Sequence, residues 1–164
     1  MENENLNYED VVFSLTHDIL KEDIVANSAY IASALHAVSE QPTDVTPFML
    51  TDDEDDFMQR ELKCAFFHIM EALSAYLSPE TAAPDGATYR IVLRLPTRRK
   101  PLLDDLIAHE LQRAMACWVL SVWYAGRLPH EATRQRQLYD AAIATARHDV
   151  FAACGQVRRG CNYL

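Results

Sequence analysis

Residues 101 to 126 read PLLDDLIAHELQRAMACWVLSVWYAG, and this stretch decides the class of fold. Pro101 suits the first position of a helix, two aspartates follow in the first turn, and Gly126 is placed to end the helix. A wide apolar stripe recurs at helical spacing: Leu103, Leu106, Ile107, Leu111, Ala114, Met115, Trp118, Val122 and Ala125. Because Trp123 and Tyr124 extend this stripe around the helix, we expect it to be buried at a bundle centre or against another subunit.

Three further segments have helical patterns. Apolar residues at helical spacing predict a first helix over residues 24 to 38. A second helix is predicted from Asp52 to about Leu77, with this buried stripe: Met58, Leu62, Ala65, Phe66, Ile69, Leu73, Tyr76 and Leu77. A last helix begins at Pro129, and its buried side comprises Tyr139, Ile143, Ala146, Val150 and Cys154.

The second helix has a strong start signal. Thr51 and Glu54 have the spacing of a capping box, in which each side chain binds the other residue's backbone amide. The neighbouring carboxylates complement the positive end of the helix dipole. A divalent-cation site is the alternative, but the run lacks the alternating ligands and the glycine of a calcium loop.

Residues 89 to 95, YRIVLRL, predict a strand, because one face carries Tyr89, Ile91, Leu93 and Leu95 and the other carries Arg90 and Arg94. A strand needs a partner for its amides and carbonyls. Three partners remain open: residues 10 to 16, the tail at residues 156 to 164, or a strand of a neighbouring subunit. Residues 8 to 20 are themselves ambiguous between strand and helix.

The predicted fold is therefore mainly α, a bundle of about four helices with one short β strand or hairpin at about residues 88–95. A length of 164 residues suits one domain, 1–164, with an acidic segment at 1–56 and a short basic tail at 156–164. The first ten residues, MENENLNYED, have no basic region and no long apolar stretch, so no secretory signal is expected, and the longest apolar run is too short to span a membrane. The four dispersed cysteines favour buried free thiols in a protein made in a reducing cytoplasm.

Charge is divided unequally along the chain. Residues 1 to 56 contain fourteen of the 24 acidic residues but only one of the 15 basic residues, Lys21, so a segment of net charge −13 precedes one of +4. Such asymmetry indicates interaction surfaces, here an acidic and a basic one that could attract each other between copies. The predicted subunit-interface residues are Asp52, Asp53, Asp55, Asp56, Arg90, Arg94, Arg98, Arg99, Arg158 and Arg159.

No motif indicates catalysis. His109 and Glu110 begin like the zinc-protease pattern HExxH, but Arg113 stands where the second histidine ligand is required. The sequence has no glycine-rich phosphate loop and no GxSxG elbow. No catalytic, cofactor-binding or metal-binding residue is therefore predicted, and an enzyme is not expected.

The order of elements resembles a family of small helical proteins from tailed phages and prophages of gut Bacteroidota, grouped with head-to-tail connector, neck or tail structural proteins. The resemblance covers most of the chain. It is carried by the segments VVFSL, MEALSAYLS, YRIVLRLP, LIAHELQRAMACWVLSVWYAG and QVRRGCNYL. The long alanine-rich first helix and the acidic loop after it depart from the family's pattern.

The resemblance implies a non-enzymatic virion protein, a ring-forming connector (neck or adaptor) or tail subunit, made in the bacterial host cytoplasm. We expect charge-complementary contacts and strand augmentation between copies to hold the assembly together. Its expected partners are further copies of itself and portal or tail subunits, with no membrane, no sequence-specific nucleic acid and no cofactor. Two alternatives remain. One is a small regulatory protein contacting nucleic acid through its basic patches, which a net charge of −9 disfavours. The other is a ligand-binding bundle or small enzyme with a pocket near Trp118 and Trp123, where core packing is the simpler interpretation.

Overall fold

The strand predicted near residues 88–95 pairs with the amino-terminal part of the chain. In the computed structural model, which describes residues 7–38 and 44–154, the first strand, β1 (Tyr8–Thr16), lies antiparallel to β2 (Thr88–Pro96). The helices are α1 (His17–Val38), α2 (Asp55–Ala72), α3 (Pro101–Tyr124) and α4 (Pro129–Ala153). Short 3-10 turns lie at Thr46–Phe48, Asp52–Glu54 and Ser74–Tyr76. The predicted fold class, mainly α with one short antiparallel β element, is confirmed.

The pairing of β1 with β2 selects one of the three predicted partners and resolves the ambiguity at residues 8 to 20. Val12 lies opposite Val92, and Leu15 lies opposite Tyr89. Side chains of odd-numbered residues on both strands face the helices, so that Phe13, Leu15 and the predicted apolar face of β2 are buried. The chain enters α1 directly after Thr16, and the His17 amide donates to the Ala87 carbonyl at 2.8 Å.

The edge of β2 that faces away from β1 is covered at its centre. The Val92 amide donates to Thr81 Oγ1 at 3.1 Å. The Val92 carbonyl accepts from the Ser78 amide at 2.9 Å and from Thr81 Oγ1 at 3.0 Å. Val92 itself is buried although it lies on the face with Arg90 and Arg94. The segment after α2 therefore protects this edge.

Helix α3 is the centre of the bundle. It packs along α4 and also contacts α1 and α2. All residues from Ala114 to Ser121 are buried, as expected for a helix covered on all sides. Trp123 Nε1 and Tyr124 Oη both donate to the Phe48 carbonyl, at 3.2 and 3.1 Å, which fixes the loop between α1 and α2 against the end of α3.

Several residues of the predicted apolar stripes are exposed. Leu106 and Val122 of α3 are 42% and 36% exposed. Leu106 precedes the well-covered part of α3, and Val122 borders a shallow groove between α3 and α4. Ala125 lies in the turn after the helix, and Leu35 lies beyond Ala32, the last buried residue of α1. In each case the spacing fits the stripe, but no described element covers the position.

The predicted second helix is confirmed with modified ends. The capping box between Thr51 and Glu54 is present, with the Thr51 amide donating to Glu54 Oε2 at 2.8 Å. It precedes a 3-10 turn, and regular α-helix runs only from Asp55 to Ala72 before a second 3-10 turn. The predicted stripe is buried from Met58 to Leu73.

Candidate functional site

The acidic cluster, defined as Asp52, Asp53, Asp55 and Asp56, lies around the start of α2. Two of its four carboxylates are paired within the chain. Lys21 Nζ of α1 lies 3.1 Å from Asp52 Oδ1 and 2.9 Å from Asp55 Oδ1. Asp53 and Asp56 are exposed and have no ion-pair partner in the described part of the chain. Half of the cluster is therefore available to another molecule.

Asp55 connects the start of α1 to the start of α2. His17 Nε2 lies 3.0 Å from Asp55 Oδ1, the same oxygen that Lys21 contacts. The hydrogen bonds from His17 and then Lys21 lower the pKa of the Asp55 carboxyl. These contacts of Asp55 with His17 and Lys21, called the clamp below, connect two helices that have few other contacts with each other.

A histidine bound by a carboxylate can act as a general base when a nucleophile is within reach. The second ring nitrogen, His17 Nδ1, is buried and has no hydrogen-bond partner among the described residues. Tyr89 Oη is also buried without a partner, and burial raises the pKa of Tyr89 to about 12. Since no hydroxyl or thiol of the described residues is bound to His17, the pair lacks the third member of a catalytic triad.

Asp55→Asn should lower stability at neutral pH, with an effect that shrinks as the solution is acidified. The folded-state pKa of Asp55 is depressed, so its contribution is present above the unfolded-state pKa of about 3.9 and is lost as pH falls through the folded-state value. Urea denaturation from pH 7 to pH 3 measures this difference. Asp53→Asn is the matched control, and we expect it to follow the wild-type profile. Identical profiles for Asp55→Asn and wild type would contradict the clamp.

The basic face, defined as Arg90 and Arg94 of β2, lies on the side of the sheet away from the helices. Both side chains are exposed at even-numbered positions, opposite Ser14 and Asp10 of β1. Neither has an ion-pair partner among the described residues, and Asp10 Oδ2 instead accepts from Ser78 Oγ at 2.9 Å. The alternation of the strand therefore presents two guanidinium groups to solvent.

The remaining arginines predicted at the interface differ from this pair. Arg99 is only 10% exposed and donates to both oxygens of Asp104, at 2.7 and 2.8 Å. It also donates to Glu9 Oε1 at 2.6 Å and to the Pro96 carbonyl at 2.9 Å. Arg99 thus connects β1, β2 and α3 within one chain. Arg98 is exposed and has an interaction of its own, whereas Arg158 and Arg159 lie outside the described residues.

A groove of about 320 Å³ lies between α1, α3 and α4. Its floor includes the buried Cys117, whose thiol pKa is raised by burial. Arg113 and Arg134 approach it from α3 and α4, and each is paired with a glutamate one turn earlier, at 3.4 and 3.0 Å. The groove could hold a small molecule with apolar and charged parts.

The two tryptophans belong to the core, as the simpler interpretation predicted. Trp118 packs against His68 in a tilted arrangement and against Tyr139 edge-on, at ring-centroid distances of 4.4 and 5.2 Å, and Arg136 lies over its ring. Trp123 packs against Phe57, and Arg127 lies 3.7 Å from its ring centroid. Both indoles are at least nine-tenths buried.

Within residues 7–38 and 44–154, no group of three or more His, Cys, Asp or Glu side chains is arranged to hold a metal ion. None of the described helices combines the length and apolar character that a bilayer crossing requires. Comparison of the chain with protein-family models, curated proteins and solved structures found no match.

The intramolecular ion pairs were not predicted from the sequence. The His17–Asp55 contact joins residues 38 positions apart, and no local pattern announces it. The Arg99–Asp104 pair had a signal, since Asp104 lies in the first turn of α3 and Arg99 just before that helix. The glutamate–arginine pairs beside the groove have the i,i+3 spacing of helix surface pairs.

Proposed function

We propose that this protein is a non-enzymatic assembly subunit that forms a homo-oligomeric ring through contacts between its acidic cluster and its basic face. The observation that carries the proposal is the exposure of two opposite charge pairs on different elements. Asp53 and Asp56 lie at the start of α2, and Arg90 and Arg94 lie on β2. None of the four has an ion-pair partner among the described residues.

Two different patches on one subunit suit a heterologous contact, in which the acidic cluster of each copy meets the basic face of the next. Such contacts close into a ring when the rotation between copies permits it. Complementary charge also guides association and disfavours incorrect pairings. Exposed ion pairs contribute little energy individually, so a ring of this kind needs several of them together with backbone or apolar contacts.

The resemblance to connector, neck and tail proteins supports a more specific role. In this role the protein is a ring-forming connector or tail subunit of a tailed phage or phage-like particle, located in the virion. Its partners are then portal or tail subunits in addition to its own copies. This role uses an exposed charged surface and requires no catalytic group.

Light scattering of the purified protein at low and high salt tests the proposal. We expect an oligomer at low salt that dissociates as salt screens its contacts. Arg90→Glu/Arg94→Glu should abolish the ring-sized species, and adding Asp53→Arg/Asp56→Arg to the same chain should restore it. Lys63→Glu/Arg147→Glu makes the same charge change at exposed positions elsewhere and should remain oligomeric.

A wild-type monomer at every salt and protein concentration would overturn the self-assembly proposal. The groove between α1, α3 and α4 favours a second function in that case, a small ligand-binding protein. Loss of the oligomer in the Lys63→Glu/Arg147→Glu control as well would assign the effect to net charge rather than to the basic face.

A further inference from the structure

The outer edge of β1, defined as the edge that faces away from β2, presents a row of backbone hydrogen-bonding groups. In an antiparallel ladder, residues directly opposite each other point their backbone groups either toward each other or away. The Val92 amide and carbonyl bind Thr81 and Ser78, so they point away from β1. Val12, directly opposite Val92, therefore points its own amide and carbonyl away from β2.

Contacts at both ends of the ladder confirm this parity. The Thr97 amide donates to the Asn7 carbonyl at 2.9 Å, and the His17 amide donates to the Ala87 carbonyl at 2.8 Å. Odd-numbered residues of β1 thus bond across to β2. The even-numbered residues present their amides and carbonyls on the outer edge: Tyr8, Asp10, Val12, Ser14 and Thr16.

This outer edge is accessible. All five even-numbered residues are exposed, including the apolar side chains of Tyr8 (46%) and Val12 (44%). Within the described part of the chain, no backbone hydrogen bond closes the edge, in contrast to the covered edge of β2. An exposed edge strand of nine residues is a template for a further strand.

We propose that the outer edge of β1 pairs with β1 of a second copy, antiparallel, about a two-fold axis at Val12. Because the Val12 backbone points outward, the two copies of Val12 form a hydrogen-bonded pair on the axis. The result is a four-stranded sheet in the order β2, β1, β1 of the partner, β2 of the partner. Contacts about a two-fold axis are self-complementary by construction.

An axis at any even-numbered residue of β1 would allow the outward-pointing backbone groups to pair. The side chains favour the axis at Val12 among these registers. An axis at Val12 sets Asp10 opposite Ser14 and Glu9 opposite Leu15, so no carboxylate faces another directly. An axis at Asp10 would place the two Asp10 carboxylates opposite each other, which is destabilising. The Val12 register also brings the two exposed valine side chains together, which removes apolar surface from water.

This inference rests on the proposed self-assembly and names one further contact within it. A two-fold contact cannot itself generate a ring, but it joins two rings, or two open arrays, into a pair. We also expect the β1 contact and the ring contact to respond to salt in opposite directions. Each chain has a net charge of −9, so screening should strengthen the β1 contact while it weakens the contact between the acidic cluster and the basic face.

Cysteine cross-linking tests the register, in a background with Cys64, Cys154 and Cys161 replaced by serine and the buried Cys117 retained. In a hydrogen-bonded antiparallel pair the Cα atoms are about 5.5 Å apart, within the range that a disulfide spans. Val12→Cys should therefore give a disulfide-linked dimer under mild oxidation, and more of it at high salt. Ser14→Cys alone should give none, whereas a mixture of Asp10→Cys and Ser14→Cys chains should give a heterodimer.

The outcomes separate this contact from the ring. Absence of the Val12→Cys dimer at all salt concentrations, with far-UV circular dichroism unchanged, would overturn the β1 contact and leave the salt-sensitive ring intact. Equal dimer yields from Val12→Cys and Ser14→Cys would also overturn it, since random collision does not depend on register. A Val12→Cys dimer in chains carrying Arg90→Glu/Arg94→Glu would support the β1 contact without the ring.

Discussion

Phe66→Ala should destabilise the protein by about 3–5 kcal/mol, the range for removing a buried aromatic ring. Phe66 is fully buried on α2, and its ring centroid lies 6.0 Å from that of Tyr89 on β2. It thus fills the space between the second helix and the sheet. The substitution leaves a cavity in a region where neighbouring side chains are held by both elements, so collapse around it is limited. Urea denaturation followed by circular dichroism measures the loss.

The adjacent residue provides the matched control. Phe67 has the same side chain on the same helix but is 47% exposed, and it contacts Phe66 edge-on at 5.7 Å. We expect Phe67→Ala to cost less than half as much as Phe66→Ala. Equal losses from the two substitutions would mean that Phe67 is covered in solution, for example by another subunit, and dilution should then reduce the effect of Phe67→Ala.

Arg99→Met should destabilise the fold by about 1–3 kcal/mol, because it leaves the part-buried Asp104 carboxylate without its charged partner. Methionine can replace the apolar stem of the arginine, but Asp104, Glu9 and the Pro96 carbonyl lose a shared donor. Arg99→Lys should recover only part of the loss, since one ammonium group cannot reproduce the two-pronged contact with Asp104. Chemical denaturation of both variants at low salt measures these losses.

Arg94→Met is the control for this series. Arg94 is exposed and unpaired among the described residues, so on protein diluted enough to be monomeric we expect the free energy of unfolding to change by no more than about 0.5 kcal/mol. We expect the two positions to differ in their effect on assembly. Arg94 substitutions should weaken the proposed oligomer, whereas Arg99 substitutions should lower the stability of the monomer. A stable Arg99→Met chain that no longer assembles would place Arg99 at a subunit interface instead.

Arg94 and Arg99 also illustrate what can and what cannot be predicted from the sequence. Alternation within YRIVLRL was enough to predict that Arg94 points away from the core. For Arg99, the deciding facts are the distances to Asp104 and Glu9, and Glu9 lies 90 positions away in the chain. Charge composition identified both residues as candidates but could not separate a guanidinium used inside the fold from one left in solvent.

The partner of β2 was limited to three candidates for a similar reason. Strand pairing uses backbone groups that every residue carries. The sequence of a segment therefore predicts that it forms a strand more clearly than it predicts which strand it pairs with. The alternation of Val11, Phe13 and Leu15 was compatible with the partner found. Burial of Val92 was not predictable from alternation, because the residues that cover it follow α2 and have no strand pattern of their own.

The pairing of β1 with β2, two strands that lie far apart in the sequence, has a consequence for the order of events during synthesis. The residues of β1 are made first, but their partner begins only at residue 88. At roughly 5–20 residues per second, several seconds pass before β2 has been synthesised. During that interval β1 lacks its partner strand β2, and Phe13 and Leu15 have no sheet to join. Contacts between distant parts of a chain form slowly, because the intervening segment must first be ordered. The nascent chain is therefore most vulnerable to aggregation early, before its central helix exists, and a chaperone that shields the first strand should increase the yield of folded protein.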